Sequence, residues 1–287
     1  MENYFKGRHF QKDIILVAVG YYFRFSLSYR DVVEILRDRG IIIHHTTVMR
    51  WVHHYGPLFK LLWRKQRDTH SQSWRVDETY IKIKARWHYF YRAIDSHGLT
   101  LDFELRKHRD YQSAYHFLKR LLTTYGRPDC LVTDQYAGTL KAIKQVIKDG
   151  LLVKANHQCS KYRNNLIEQD HRLIKHVLVK SSGFQSLRTA LKTLSGIEVM
   201  HQLHKVSQRE PSLFGFSSSQ SLIELLVQWS VQQSSQCIKK TILLILHQNQ
   251  TNFVKPSGWL INDDTLNLSG VQFASVIWHA LMRHWPN

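Results

Sequence analysis

The chain has 287 residues, 43% of them hydrophobic and 22% charged, which is enough apolar side chain for a buried core and a length that suggests about two domains. Forty Lys and Arg against 22 Asp and Glu leave a net charge of +18, the electrostatic footprint of a protein that neutralises phosphates. These values exclude a mostly disordered chain, and no apolar run approaches the ~18 residues of a membrane-spanning helix; the longest late one, residues 242–246, has five.

Residues 1–66 read as helical. Ile14, Ile15, Val17, Ala18 and Tyr22 are spaced as one buried face of a first helix over 10–25. Ser28 is placed as the N-cap of a second, with Val32, Val33, Ile35 and Leu36 on its apolar side and Gly40 ending it. A short apolar stretch, 41–43, leads to His44-His45-Thr46-Thr47 and a further helix through Val48, Met49, Trp51 and Val52. Helix, glycine turn and polar-headed helix make the sequence shape of a helix-turn-helix. His45, Thr46, Thr47 and Arg50 would then lie near the major groove, and the basic charge favours DNA binding over an ordinary helical hairpin.

After a polar linker at 67–72 the hydrophobic period falls to two. Strands are expected over 74–84, 87–94 and 99–105, with a turn at Ser96-His97-Gly98, forming an antiparallel meander. Ala114, Phe117, Leu118, Leu121 and Leu122 mark a helix over 111–125, broken by Gly126-Arg127-Pro128. A short strand at 130–133 ends at Asp134. A helix over 139–147, a strand at 151–155 and a long helix capped by Asn164 or Asn165 follow. The order gives an α/β fold: a mixed five-stranded sheet with flanking helices, preceded by an all-α region. From 187 to 230 the pattern is helical again, interrupted by Pro211 and serines 217–219, with a stripe of Leu222, Leu225, Leu226 and Trp229 read as core. Residues 231–287 hold four Lys or Arg and two Asp, so the basic excess nearly vanishes there.

Cys130, Cys159 and Cys237 form no CxxC pair, which supports neither a disulfide framework nor a zinc ribbon. No signal-peptide pattern opens the chain, so a soluble intracellular protein is expected.

Three acids sit on expected core elements: Asp77 within a strand, Asp134 at a strand end, and Glu168 in the first turn of a helix. Buried carboxylates are costly unless paired or metal-bound, and a converging set suits hard divalent cations. Two such ions would activate an attacking oxygen and stabilise a leaving one at a phosphodiester. Fifty-six residues lie between Asp77 and Asp134, and 33 between Asp134 and Glu168. Lys175 follows Glu168 by seven residues, close to two helical turns, so the two share a face on which the lysine can hold a phosphate. Arg172, at i+4, can do the same or pair with Glu168. Glu78 should point to the opposite sheet face from Asp77, and Asp170 away from Glu168. Asp95 and Asp102 read as structural or surface residues. Trp74, Trp87, Tyr89 and Tyr91 read as core rather than as base-stacking groups.

The words around these acids resemble the DDE transposases of bacterial insertion sequences, of the IS-six family. They are Trp74-Arg75-Val76-Asp77-Glu78-Thr79-Tyr80, Tyr91-Arg92-Ala93-Ile94-Asp95-Ser96, Leu131-Val132-Thr133-Asp134, Lys161-Tyr162, the run from Asn164 to Arg172, and Gly196-Ile197-Glu198. The resemblance covers roughly residues 5–215. It implies an RNase H-like catalytic core in which Asp77, Asp134 and Glu168 bind Mg²⁺, with Mn²⁺ as a substitute. It further implies that Lys175 is the family's basic residue after the Glu. Terminal inverted repeats and target DNA are the implied partners, cointegrate-forming replicative transposition the implied outcome, and a homo-oligomer the implied assembly. The expected organisation is a helix-turn-helix domain at 1–66, the catalytic domain at 73–200, a helical segment at 201–230 and an atypical tail at 231–287. That tail has no counterpart in the family pattern. It keeps open the alternative of an inactive relic that binds inverted repeats and carries a fused tail.

Overall fold

Ser28 opens the second helix through a reciprocal cap. Its hydroxyl accepts from the Asp31 N–H at 3.1 Å, and the Asp31 carboxylate accepts from the Ser28 N–H at 2.9 Å. In this computed structural model residues 4–66, 72–160, 165–178, 184–209, 217–228 and 230 are described. Helix α1 (Lys12–Arg24) buries Ile15, Leu16, Val19 and Phe23. Helix α2 (Tyr29–Arg37) is followed by Gly40 at φ 74°, a left-handed conformation that glycine adopts without steric cost. Helix α3 (His45–Gln66) completes the expected helix, turn, helix order.

The sheet contains β1 (Ser73–Ile83), β2 (Arg86–Asp95), β3 (Thr100–Arg106), β4 (Cys130–Thr133) and β5 (His157–Cys159), in the order β3-β2-β1-β4-β5. The first three strands are antiparallel, while β4 runs parallel to β1 and β5 parallel to β4. This is the RNase H-like arrangement. Helices α4 (Tyr111–Tyr125) and α5 (Ala137–Lys148) cover one face, where Phe117, Leu121, Ile143 and Val146 meet Trp74, Val76, Tyr91 and Ala93. Each such large apolar side chain contributes about 1.5–3 kcal/mol on burial. Helices α6 (Asn165–Leu178) and α7 (Leu187–Arg209) follow, α6 lying against β1 and α7 against β3, α1 and α3.

The contact of α7 with the N-terminal helices is close. A Cβ added at Gly56 would collide with the Lys192 carbonyl, and one at Gly196 with the Phe23 ring. Only residues without a side chain permit that approach.

Two expectations need correction. The strand expected at 151–155 is not one: Leu151 donates back to the Val146 carbonyl, Leu152 enters the core, and a 3-10 turn covers Lys154–Asn156. Pairing with β4 starts only at His157. The apolar pair Leu151-Leu152 therefore marks a buried helix exit. The boundary expected between 200 and 201 falls inside α7, which is continuous from Leu187 to Arg209. The described residues within 5–223 belong to one compact unit, and those from 224 onward fall outside it. Residues 218–228 are helical, as the leucine stripe suggested, with Leu222, Leu225 and Leu226 buried. The linker at 67–71, the words at 161–164, Pro211, Trp229 and the tail at 231–287 lie outside the described residues.

Candidate active site

β4 pairs with β1 only through Ser73, Trp74 and Arg75. Asp77 and Glu78 therefore stand just beyond the end of the neighbouring strand, where no strand among the described residues pairs with that edge of β1. The buried positions of β1 also change phase here, from Trp74 and Val76 to Thr79, Ile81 and Ile83. Asp134 leaves the end of β4 at the same level. One carboxylate oxygen from each of Asp77, Glu78 and Asp134 lies within 4.8 Å of the others. Alternation along the strand does send Asp77 and Glu78 to opposite faces, but at an open edge both can bend round it. The expectation that Glu78 stands apart from Asp77 is corrected on that ground.

Asp134 is held by its own turn and by an arginine. The Tyr136 N–H donates to its Oδ1 at 3.2 Å, and Arg109 Nη2 donates to its Oδ2 at 3.3 Å. Arg109 also donates from Nε to Glu78. Arg109 precedes the N-cap of α4, Asp110, whose carboxylate accepts from the Ser113 N–H at 2.8 Å. The cap fixes the backbone that carries Arg109.

The electrostatics are those of acids short of positive charge. Burial, then the Glu78 and Asp134 charges, push the Asp77 carboxyl up to about 7, and Glu168 adds to the rise. Burial and Asp134 raise Glu78 as well, against the pull of Arg109. Clustered oxygens of this kind suit a hard divalent cation, which would remove the mutual repulsion.

Helix α6 brings the remaining expected residues. Glu168 is exposed in its first turn and lies outside the tight three-acid group, although its charge reaches Asp77. His171, at i+3, is buried with Nδ1 3.5 Å from Asp77 Oδ2. Burial, then Arg92, lowers its pKa to about 2, so it is neutral in that contact. Lys175, at i+4 from His171, places Nζ 4.0 Å above the Tyr80 ring. Glu168, His171 and Lys175 thus share the helix face expected from their spacing. Arg172 is exposed.

Asp170 does face away from Glu168, into a buried network. Lys205 reaches it at 2.6 Å, His201 at 3.3 Å and Arg92 at 3.6 Å. Arg92 also pairs with Glu198 at 2.7 Å and donates to Thr100 at 3.1 Å. These bonds tie α6 to α7 and the sheet. Asp95 and Asp102 are structural rather than surface residues: Asp95 accepts from the Leu99 N–H at 2.8 Å, and Asp102 pairs with Arg120 at 2.9 Å. Among the aromatics, Trp74 and Tyr91 are core, whereas Trp87 is 54% exposed beside the equally exposed Tyr80. Its strand position near a hairpin tip overrides the core expectation.

At the start of α3, His45, Thr46 and Thr47 are half-buried and Arg50, in the second turn, is exposed; His44 Nδ1 lies 2.8 Å from the Thr46 hydroxyl. Sequence reasoning missed Arg109, Tyr136 and His171. Helical spacing from Glu168 was a signal for His171, while nothing local marks Arg109.

Residues 71–207 match the DDE_Tnp_IS240 family, described as a DDE domain. The transposase for insertion sequence-like element IS431mec of Staphylococcus aureus strain Mu50 is 51% identical over 215 residues, covering 75% of this chain and 95% of that protein. The transposase for insertion sequence element IS257 in transposon Tn4003 of Staphylococcus aureus matches to the same extent. Among solved structures, the HTLV-2 integrase catalytic core domain in complex with magnesium is similar at 15% identity, with a TM-score of 0.35 over 46% of this chain and 87% of that one.

Proposed function

Because the chain belongs to the DDE-domain transposases of insertion sequences, we propose that it frees the 3′ ends of its own element and joins them to target DNA, using Asp77, Asp134 and Glu168 to hold divalent metal. The observation that carries this reading is the convergence of Asp77 and Asp134 at the open edge of β1, with Glu168 on the helix packed against that strand. The donor set is all carboxylate oxygen, which fits Mg²⁺ and admits Mn²⁺. Bound there, the metal makes a water or a 3′-hydroxyl nucleophilic and offsets charge on the phosphodiester.

The chain's own residues supply the rest. Asp134 is oriented by Arg109 and the Tyr136 N–H. His171 stays neutral and adds no charge beside Asp77. Lys175 and the exposed Arg172 place positive charge on the helix that bears Glu168, where a DNA phosphate can be held for in-line attack. In the first step, water oxygen bonds to phosphorus and the 3′-oxygen leaves with a proton. In the second, that 3′-hydroxyl gives up its proton, attacks a target phosphorus and displaces the target 3′-oxygen. The segment of 1–66 that forms α2 and α3 would read the terminal inverted repeats through His45, Thr46, Thr47 and Arg50. Two ends must be held together, which calls for a homo-oligomer, and joining without second-strand cleavage gives cointegrates.

The test is a strand-transfer assay on full-length protein, with labelled inverted-repeat ends, Mg²⁺ and a circular target. Joined products that vanish in Asp134→Asn, with inverted-repeat binding kept, are the expected result. Specific binding with no cleavage or joining by the natural chain would overturn it and favour the relic.

A further inference from the structure

Glu78 is an acid too many. The carboxylate group at the β1 edge contains it beside Asp77 and Asp134, yet the proposed metal set needs only one acid from this dipeptide. Its side chain is 3% exposed, and a carboxylate so buried requires a counter-charge. Arg109 Nε provides one. The guanidinium is itself braced: its carbon lies 4.0 Å above the Tyr136 ring, and the Tyr136 hydroxyl donates to the Arg109 carbonyl at 2.7 Å. From that fixed position Nη2 reaches Asp134 Oδ2 at 3.3 Å, while the Tyr136 N–H takes Oδ1 at 3.2 Å. Both oxygens of Asp134 are therefore oriented by one small assembly.

Resting on the transposase reading, we propose that Glu78, Arg109 and Tyr136 form a positioning unit for Asp134, in which Glu78 anchors Arg109 and is not a metal ligand. The chemistry of the guanidinium carries this. Nε–H and Nη2–H project as a planar fork, so one rigid group spans two carboxylates that repel each other. A lysine has a single point of charge and cannot fix both. Glu78 and Asp77 leave β1 on opposite faces, so the Glu78 side chain comes from the α4 side, where Arg109 waits at the helix start. Outer groups that orient a ligating side chain commonly change affinity or activity by about 10–100-fold when altered.

The experiment compares full-length Arg109→Lys, Arg109→Ala, the charge-balanced pair Glu78→Gln with Arg109→Gln, and Asp134→Asn. Mn²⁺ binding is followed by titration calorimetry, inverted-repeat binding by mobility shift, and strand transfer by product formation. Arg109→Lys should keep DNA and Mn²⁺ binding and lose about 10–100-fold in strand-transfer turnover. The charge-balanced pair should still bind Mn²⁺, whereas Asp134→Asn should not. Added guanidinium ion should partly restore turnover to Arg109→Ala. Loss of Mn²⁺ binding in the charge-balanced pair, equal to that of Asp134→Asn, would make Glu78 a ligand and overturn the proposal. So would wild-type turnover in Arg109→Lys. If the natural chain joins no DNA at all, the transposase reading fails, and the Mn²⁺ comparison still decides the role of Glu78.

Discussion

Asp170 and Asp77 are both acids removed from water, and their surroundings drive them in opposite directions. Around Asp170 burial works to raise the pKa, but the His201 hydrogen bond and the charges of Arg92 and Lys205 win and hold it well below the usual carboxylate range. Around Asp77 burial and the neighbouring acids act together, and its carboxyl rises to about 7. The two clusters are joined by one helix: residue 170 of α6 points into the compensated network and residue 171 touches Asp77. Compensated charge holds the architecture. Uncompensated charge marks the place where a cation is to come, and the fold tolerates it because the β1 edge there is open.

The largest effect should come from the centre of the compensated cluster. Arg92 is fully buried and bonds Glu198, Thr100 and Asp170 at once. Arg92→Met matches its length but leaves Glu198 buried with its ion pair gone. Removing one partner of a buried pair costs about 3–5 kcal/mol. Denaturant unfolding should show that loss, whereas Asp77→Asn, which removes repulsion, should raise the stability of the metal-free protein. A stable Arg92→Met variant would mean that the network is not what fixes α6 and α7 to the sheet.

A pH series sharpens the contrast. Asp77 has a raised folded pKa, so below about 7 the folded state holds a proton that the unfolded chain has already released above about 4. Its contribution to stability is greatest in acid and is lost as pH rises through about 7. His171 has a depressed folded pKa, near 2, so the folded state stays neutral while the unfolded histidine gains a proton below about 6.5. Its contribution is lost as pH falls below that value. Between about pH 4 and 6.5 the two slopes oppose, each by up to about 1.4 kcal/mol per pH unit. Relative to the natural chain, Asp77→Asn should make stability climb more steeply with pH in this window, and His171→Gln should make it fall. Mg²⁺ should raise the melting temperature more at pH 8 than at pH 6, and not at all in Asp77→Asn. Parallel slopes in all three proteins would remove the electrostatic distinction between the clusters.

Much of the fold was legible because its signals are local. The Ser28 cap, the apolar faces of α1 and α4, and the alternation of Thr79, Ile81 and Ile83 in β1 each need only a few neighbouring residues to act. Asp77 and Asp134 were legible because the words around them resemble the family's, and Glu168 with Lys175 because helical spacing places them on one face. The Arg109 contacts with Glu78 and Asp134 were not. They depend on how far β4 extends beside β1, a register that no single segment encodes. Leu151 and Leu152 misled because an apolar pair before a polar run looks alike as a strand and as a buried helix exit. The buried role of Arg92 was hidden for a related reason. Its partners come from α6, α7 and β3, and an arginine in an aromatic strand gives no local hint of which of them it will meet.

The smallest effect should come from the edge of the compensated cluster. Lys205 bonds Asp170 at 2.6 Å, but its side chain is 16% exposed and Asp170 also has Arg92 and His201. Lys205→Met keeps the aliphatic stem and removes the charge-assisted bonds to Asp170 and to the Gly98 carbonyl, each worth about 1.5–3 kcal/mol at most where the partner is otherwise unpaired. With Arg92 and His201 still on Asp170, the loss should fall at or below the low end of that range, and strand transfer should be unchanged. The ratio of this loss to that of Arg92→Met measures redundancy. A compensated cluster built around several cations should tolerate losing the outermost one, and equal losses would show instead that Asp170 depends on Lys205 alone.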